Sequence, residues 1–148
     1  MDYTVEPNKL LIDTWRIGAI GASEYDLSLY GPNGFFRGFK GTVSGSQRAN
    51  LDVHVAYEEE TNAIRLDISN RASHTVRVGV MNAYRSRGMN SVLGPGDADS
   101  KSWSLKVTGG WYDLAITVEN DPHFEYRLAG HMENGEDSFS DPAMGGLV

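Results

Sequence analysis

Apolar and polar positions alternate along much of this chain, in short runs separated by turn residues. In residues 25–30, Tyr25, Leu27 and Leu29 fall on one side and Asp26, Ser28 and Tyr30 on the other. That is the two-residue period of a half-buried strand. Gly31-Pro32-Asn33-Gly34 then predicts a reversal, with Pro32 presetting φ at the turn's second position and Asn33-Gly34 tolerating positive φ. Residues 35–43 return as a second strand. Leu51, Val53 and Val55 alternate with Asp52, His54 and Ala56. Past a charged tip at residues 58–62, Ile64, Leu66 and Ile68 alternate again, and Val76, Val78 and Val80 follow. Residues 85–99, containing Gly94-Pro95-Gly96, read as a long irregular connection. Trp103, Leu105 and Val107 open another strand, residues 108–110 turn it, and residues 112–118 and 124–132 complete the set. Upstream, residues 1–11 read as a linker and residues 11–20 as a strand with Trp15 and Ile17 on one face. No run has a helical period. Together these predict an all-β, antiparallel sandwich of immunoglobulin or fibronectin-III type, with about nine strands and no significant helix.

The pattern also repeats. YDLSLYGPNGFFRGFKG at 25–41 returns as YDLAITVENDPHFEYRLAG at 112–130, with a longer turn before Phe124 takes the place of Phe35. Pro7 precedes Trp15 by the spacing at which Pro95 precedes Trp103, and each tryptophan leads to its own Tyr-Asp-Leu. The chain therefore divides into a complete copy of one unit, residues 51–133, and the second half of another, residues 1–45. An irregular tail, residues 134–148, is rich in Gly, Ser, Asp and Pro. The few strands of the half copy bury too little to stand alone. They are expected to join the complete copy in a single body.

Composition narrows the class. With 148 residues, 40% hydrophobic and 10% aromatic, the chain can bury a real core. A formal net charge of -7 argues against nucleic acid and against electrostatic docking on anionic lipid. A neutral or zwitterionic surface stays open to it. The absence of cysteine excludes disulfides and thiolate metal sites. No apolar run approaches the ~18 residues of a membrane helix, and no signal peptide opens the chain. The broken repeat reads as the start of a fragment.

The candidate chemistry is sparse. His54, His74, His123 and His131 show no metal-ligand spacing. His54 is expected to face solvent, and His131, near Glu133, to make a structural hydrogen bond. No G-x-S-x-G or phosphate-binding glycine loop occurs. The acidic groups Asp97/Asp99 and Glu133/Glu136/Asp137/Asp141 match no calcium loop. No catalytic residue, metal or cofactor is assigned. Tyr25 and Tyr112 recur at equivalent places, which favours core positions with hydroxyls bonded to nearby backbone over a cage for a quaternary ammonium. Trp111 differs, because Glu24 stands in its place in the first copy. It adjoins a Gly-Gly turn and becomes a candidate lipid or interdomain contact, with Asn33, Phe35, Phe36 and His131.

These stretches, with FEYRLAGHMENGEDSFSDPAMG near the end, resemble the C-terminal repeat domain of bacterial phosphocholine-specific phospholipases C, non-haemolytic and haemolytic. The likeness covers nearly the whole chain, including its tail. It departs at Glu125-Tyr126-Arg127, where that family often carries an arginine pair. The resemblance implies a secreted or periplasmic parent that hydrolyses phosphatidylcholine to diacylglycerol and phosphocholine. It places the catalytic residues in an N-terminal phosphoesterase domain, on which this chain would pack, helping at a zwitterionic lipid surface. The alternative is a purely structural module without lipid contact. No catalytic residue carries over, and the chain by itself is not expected to be an enzyme.

Overall fold

A computed structural model of the chain describes residues 23–84, 87–135, 137–138 and 140–141. The strands are β1 (Glu24–Tyr30), β2 (Phe36–Thr42), β3 (Leu51–Glu58), β4 (Ala63–Asn70), β5 (Val76–Asn82), β6 (Met89–Leu93), β7 (Ala98–Ser104), β8 (Trp111–Val118) and β9 (Asp121–His131). They form two antiparallel sheets, in the orders β1-β2-β9-β8-β5-β6 and β3-β4-β7. Among the described residues the helical content is a single 3-10 turn, Glu59–Thr61, at the charged tip. The protein is an all-β sandwich, as the alternation predicts. The strand expected over residues 11–20, with Trp15 and Ile17, lies outside the described residues.

The core lies between the sheets. Ile64, Leu66 and Ile68 of β4 face Val76, Val78 and Val80 of β5 and Tyr112, Leu114, Ile116 and Val118 of β8, joined by Trp103, Leu105, Phe124 and Leu128. Fully burying each such side chain is worth about 1.5–3 kcal/mol over leaving it exposed. The same alternation that predicts the strands sets which side chains go inward.

Three sequence expectations are corrected. The connection at residues 85–99 contains β6, whose Met89 and Leu93 point into the core. β7 begins at Ala98 and ends at Ser104, before Leu105 and Val107. Most of β7 is polar and exposed, so the pattern hides it, and Val107 sits 90% exposed in the following turn. In the first hairpin the Phe35 N–H donates to the Pro32 carbonyl at 3.1 Å. Pro32 is thus the first residue of the turn, and Asn33 (φ 54) and Gly34 (φ 69) are its two centres. This is a type I′ turn, whose twist matches that of the flanking strands.

The two Tyr-Asp-Leu hairpins meet through β2 and β9, which pair as Phe36↔Ala129, Gly38↔Arg127 and Lys40↔Glu125. In the repeat, Gly38 corresponds to Arg127, Phe36 to Glu125 and Lys40 to Ala129. The pairing therefore maps onto itself when the copies are exchanged, a local two-fold axis through Gly38 and Arg127. Side chains follow the same symmetry. Tyr25 lies across from Gly41, and Tyr112 across from Gly130. A Cβ on Gly41 would come within 2.5 Å of the Tyr25 hydroxyl, and one on Gly130 within 2.7 Å of that of Tyr112. The tyrosines lean over the glycines and reach across the axis. Tyr25 Oη meets Tyr126 Oη at 3.3 Å, while Arg37 Nη2 donates to Tyr112 Oη at 3.0 Å. Positions 126 and 37 are equivalent in the repeat. The hydroxyl partners are thus side chains rather than the nearby backbone, because each ring lies over its glycine and reaches the other hairpin. Tyr112 Oη also meets Tyr57 Oη of β3 at 2.9 Å.

Candidate functional site

One end of the six-stranded sheet gathers the turn at residues 31–35, the turn at residues 105–110, the start of β8 and the end of β9. Tyr30 and Phe36 face each other across the first hairpin, ring centroids 5.0 Å apart. Trp111 and His131 do the same across the second, at 4.6 Å. The left-handed backbone at Gly34 brings the first turn onto Trp111, whose ring would lie 2.6 Å from a Cβ there. Only glycine combines that φ with that approach. Asn33 Nδ2 donates to Glu133 Oε1 at 2.9 Å, and Glu133 Oε1 lies 3.2 Å from His131 Nδ1. His131 Nε2 is 2.8 Å from the Gly109 carbonyl and 2.9 Å from Ser138 Oγ.

Asn33, Phe36, Trp111 and His131, four of the contacts expected from the sequence, are thereby brought to one corner. Phe35 turns the other way and stacks on the Arg37 guanidinium, 4.3 Å from its ring. Sequence reasoning missed Tyr30, which is 76% exposed. The signal was an aromatic ring in the polar phase of β1. The hydrogen bond expected of His131 near Glu133 is formed, while Ser138 was missed as a partner of His131, since only the fold brings the tail back to the turn.

The neighbouring outer face of the sheet carries a shallow groove with Met81, Asn82, Asp113, Ala115 and Arg127 in its wall. Arg127 donates to both oxygens of Asp113, at 2.9 and 2.6 Å, which holds its guanidinium above its ordinary value. Tyr84 donates to Asp141 at 2.7 Å, and burial together with that carboxylate pushes its phenol upward. The other sequence candidates lie apart from this corner. His54 is exposed beside Asp52 at 3.0 Å, and His123 is exposed beside Glu24 at 3.3 Å. Asp97 accepts from the Gly94 N–H and Asp99 from the Ser91 hydroxyl. Among the described residues no three of His, Cys, Asp and Glu gather as metal ligands.

Residues 1–42 and 51–131 match the family described as the bacterial phospholipase C, C-terminal domain. The chain belongs to that family. The first matched stretch ends with β2 and the second begins with β3. A non-hemolytic phospholipase C of Burkholderia pseudomallei is 39% identical over 143 residues, covering 95% of this chain and 20% of that protein. A non-hemolytic phospholipase C of Pseudomonas aeruginosa is 36% identical over 149 residues, covering 97% of the chain and 21% of that protein. The hemolytic phospholipase C of the same organism is 39% identical over 125 residues, covering 81% and 17%. The chain spans about a fifth of the length of these relatives.

In this phospholipase C C-terminal domain, Ser138, His131 and Glu133 stand at distances similar to those of a Ser-His-carboxylate array. Their hydrogen bonds also tie separate elements together. The Gly109 carbonyl beside Nε2 and the Glu133 carboxylate beside Nδ1 can each only accept, so each holds the ring by the nitrogen that faces it. The Ser138 hydroxyl donates to the same carbonyl at 2.7 Å. The set fastens the tail and the first-copy turn to the Gly109-Gly110 turn, fixing Trp111 and Tyr30 at the domain's end.

Proposed function

We propose that this chain is a non-catalytic accessory domain of a bacterial phospholipase C, packed on the N-terminal phosphoesterase domain of the same polypeptide. Its Tyr30–Phe36–Trp111 end faces a zwitterionic lipid surface. The parent hydrolyses phosphatidylcholine to diacylglycerol and phosphocholine, and works outside the cytoplasm, secreted or periplasmic. The observation that carries this reading is the family match over most of the chain, combined with an end that presents aromatic and apolar side chains on an acidic body. Tyr30 and Val107 are exposed there. Aromatic rings with polar rims suit the headgroup level of a bilayer, and attraction to anionic lipid is not needed. Flotation of the chain with phosphatidylcholine vesicles tests it. The wild type is expected to float and the Tyr30→Ala/Trp111→Ala double variant to float several-fold less, about 1 kcal/mol of lost contact. A wild type that stays at the bottom removes the lipid half of the reading. The purely structural reading then stands, favoured by how firmly Gly34 and His131 hold Trp111. It is checked by a lowered melting temperature of the parent when this domain is deleted. The isolated chain is expected to show no phosphodiesterase turnover.

A further inference from the structure

The two repeated hairpins have nearly the same inward side chains and very different burial. In the complete copy, Tyr112, Leu114, Ile116, Phe124 and Leu128 are 1%, 0%, 0%, 2% and 4% exposed. Their equivalents in the half copy, Tyr25, Leu27, Leu29, Phe35 and Phe39, are half-buried or exposed, Leu29 at 44%. The difference is the cover. In the complete copy the β3-β4-β7 sheet lies over this face. Among the described residues the half copy shows the same apolar face without it.

The main chain tells the same story independently. The Val43 N–H donates to the Ser23 carbonyl and the Gly31 N–H to the Phe35 carbonyl, both at 2.9 Å. This phase directs the main-chain groups of Tyr25, Leu27 and Leu29 toward β2, and those of Asp26, Ser28 and Tyr30 to the opposite edge. In β8 the equivalent groups, those of Asp113, Ala115 and Thr117, face β5. The Ala83 N–H donates to the Asp113 carbonyl and, one step beyond, the Glu119 N–H to that of Arg77, both at 3.0 Å. Among the described residues β1 is the end of its sheet, with no strand in the place that β5 takes beside β8.

We propose that this edge and face dock the other half of the first copy, supplied by the same polypeptide. A β5-like strand with alternate apolar residues pairs with β1, and strands like β3 and β4 close over Leu27, Leu29 and Phe39. The occupant is chosen by continuity with the interface already formed. β2 and β9 pair about a local two-fold, so applying that two-fold to β5 lays its image along β1. Applied to the covering sheet, it places a second cover over the exposed face. The result is two sandwiches side by side, sharing one sheet that runs on past β1. A lone edge of this length, with exposed apolar residues beside it, is otherwise a template for aggregation.

The chain has no cysteine, so one introduced thiol reports on the face. Leu29→Cys probes the covered position and Val92→Cys, at a 61% exposed residue of β6 on the opposite edge of the sheet, serves as reference. In the isolated chain both are expected to react with a maleimide at similar rates. In the full-length polypeptide Leu29→Cys slows by about tenfold or more while Val92→Cys does not, the protection expected of a docked face. Amide exchange on the unsubstituted proteins gives the second readout, with Asp26, Ser28 and Tyr30 protected only in the longer one. Equal Leu29→Cys rates in the two proteins overturn the proposal. So does protection already present in the isolated chain: independent of concentration, it means that the chain's own residues fill the place, and rising with concentration, that a second copy does. The outcome is separate from vesicle binding, which tests a different surface.

Discussion

Gly41 and Gly130 occupy the same repeat position but bear different loads. Each lies under a tyrosine, yet Tyr112 is buried and held by Tyr57 and Arg37, whereas Tyr25 is half-buried and, among the described residues, meets Tyr126 at its hydroxyl. A methyl group at Gly130 meets a ring that cannot swing away. Gly130→Ala is expected to destabilise by about 2 kcal/mol and Gly41→Ala by about 1 kcal/mol or less, read from urea unfolding midpoints at constant slope. Titration belongs to this scale too. Burial first, then the hydrogen bond to Tyr126, pushes the Tyr25 phenol well above its ordinary 10.0. Tyr57 follows for the same first cause, with Tyr112 as its partner. In the unfolded chain these phenols ionise near 10.0, while in the folded chain they stay protonated. The stability they lend is complete below that pH and is lost as pH rises above it. Melting temperature should hold through neutral pH and fall above about 10, with tyrosinate absorbance rising together with unfolding rather than before it. The recurrence of Tyr and Gly was legible in the sequence. Their hydroxyl partners were not, because Arg37 and Tyr126 meet these rings only across strands far apart in the chain.

Strands whose two faces differ in polarity announced themselves. β3, β4, β5 and β8 bury alternate side chains against the core, and their alternation predicts them within a residue or two. β7 failed this test because its first residues are polar on both faces, and β6 because five residues make too short a period to stand out. The first turn was placed correctly but phased one position early, since Pro-Asn-Gly suits two turn types and only the hydrogen bond decides between them. The junction of β2 with β9 depends on one long side chain. Arg37 donates to the carbonyls of Phe36 and Ala129 at 2.8 and 2.9 Å as well as to Tyr112, and Phe35 covers its guanidinium. Removing it leaves the Tyr112 hydroxyl to Tyr57 alone and strips a donor from the β9 backbone. Arg37→Ala is expected to cost about 1–3 kcal/mol in thermal or urea unfolding. Arg37→Lys should recover only part of it, because an ammonium lacks the planar fork.

At the scale of the molecule, the two hairpins share one sequence pattern and, among the described residues, differ in cover: the inward face of β8-β9 is buried, that of β1-β2 is partly exposed, and β1 ends its sheet. The candidate contacts named from sequence were legible as residue types near turns. Their assembly was not, since the corner is built from both copies and from the returning tail. Membership in the phospholipase C C-terminal domain family fits a body whose side chains fasten its elements to one another. The central claim is that the copies join through β2 and β9 in the stated register, and a cross-link tests it most directly. Lys40 and Glu125 are exposed, directly opposed and, as a hydrogen-bonded pair, about 5.5 Å apart at Cα, within disulfide range. In this cysteine-free chain, Lys40→Cys/Glu125→Cys should oxidise to a monomer with one internal disulfide, while Lys40→Cys/Arg127→Cys, two residues out of register, stays reduced under the same mild conditions. A Lys40→Cys/Glu125→Cys protein that remains reduced, or that links only between molecules, would contradict the account.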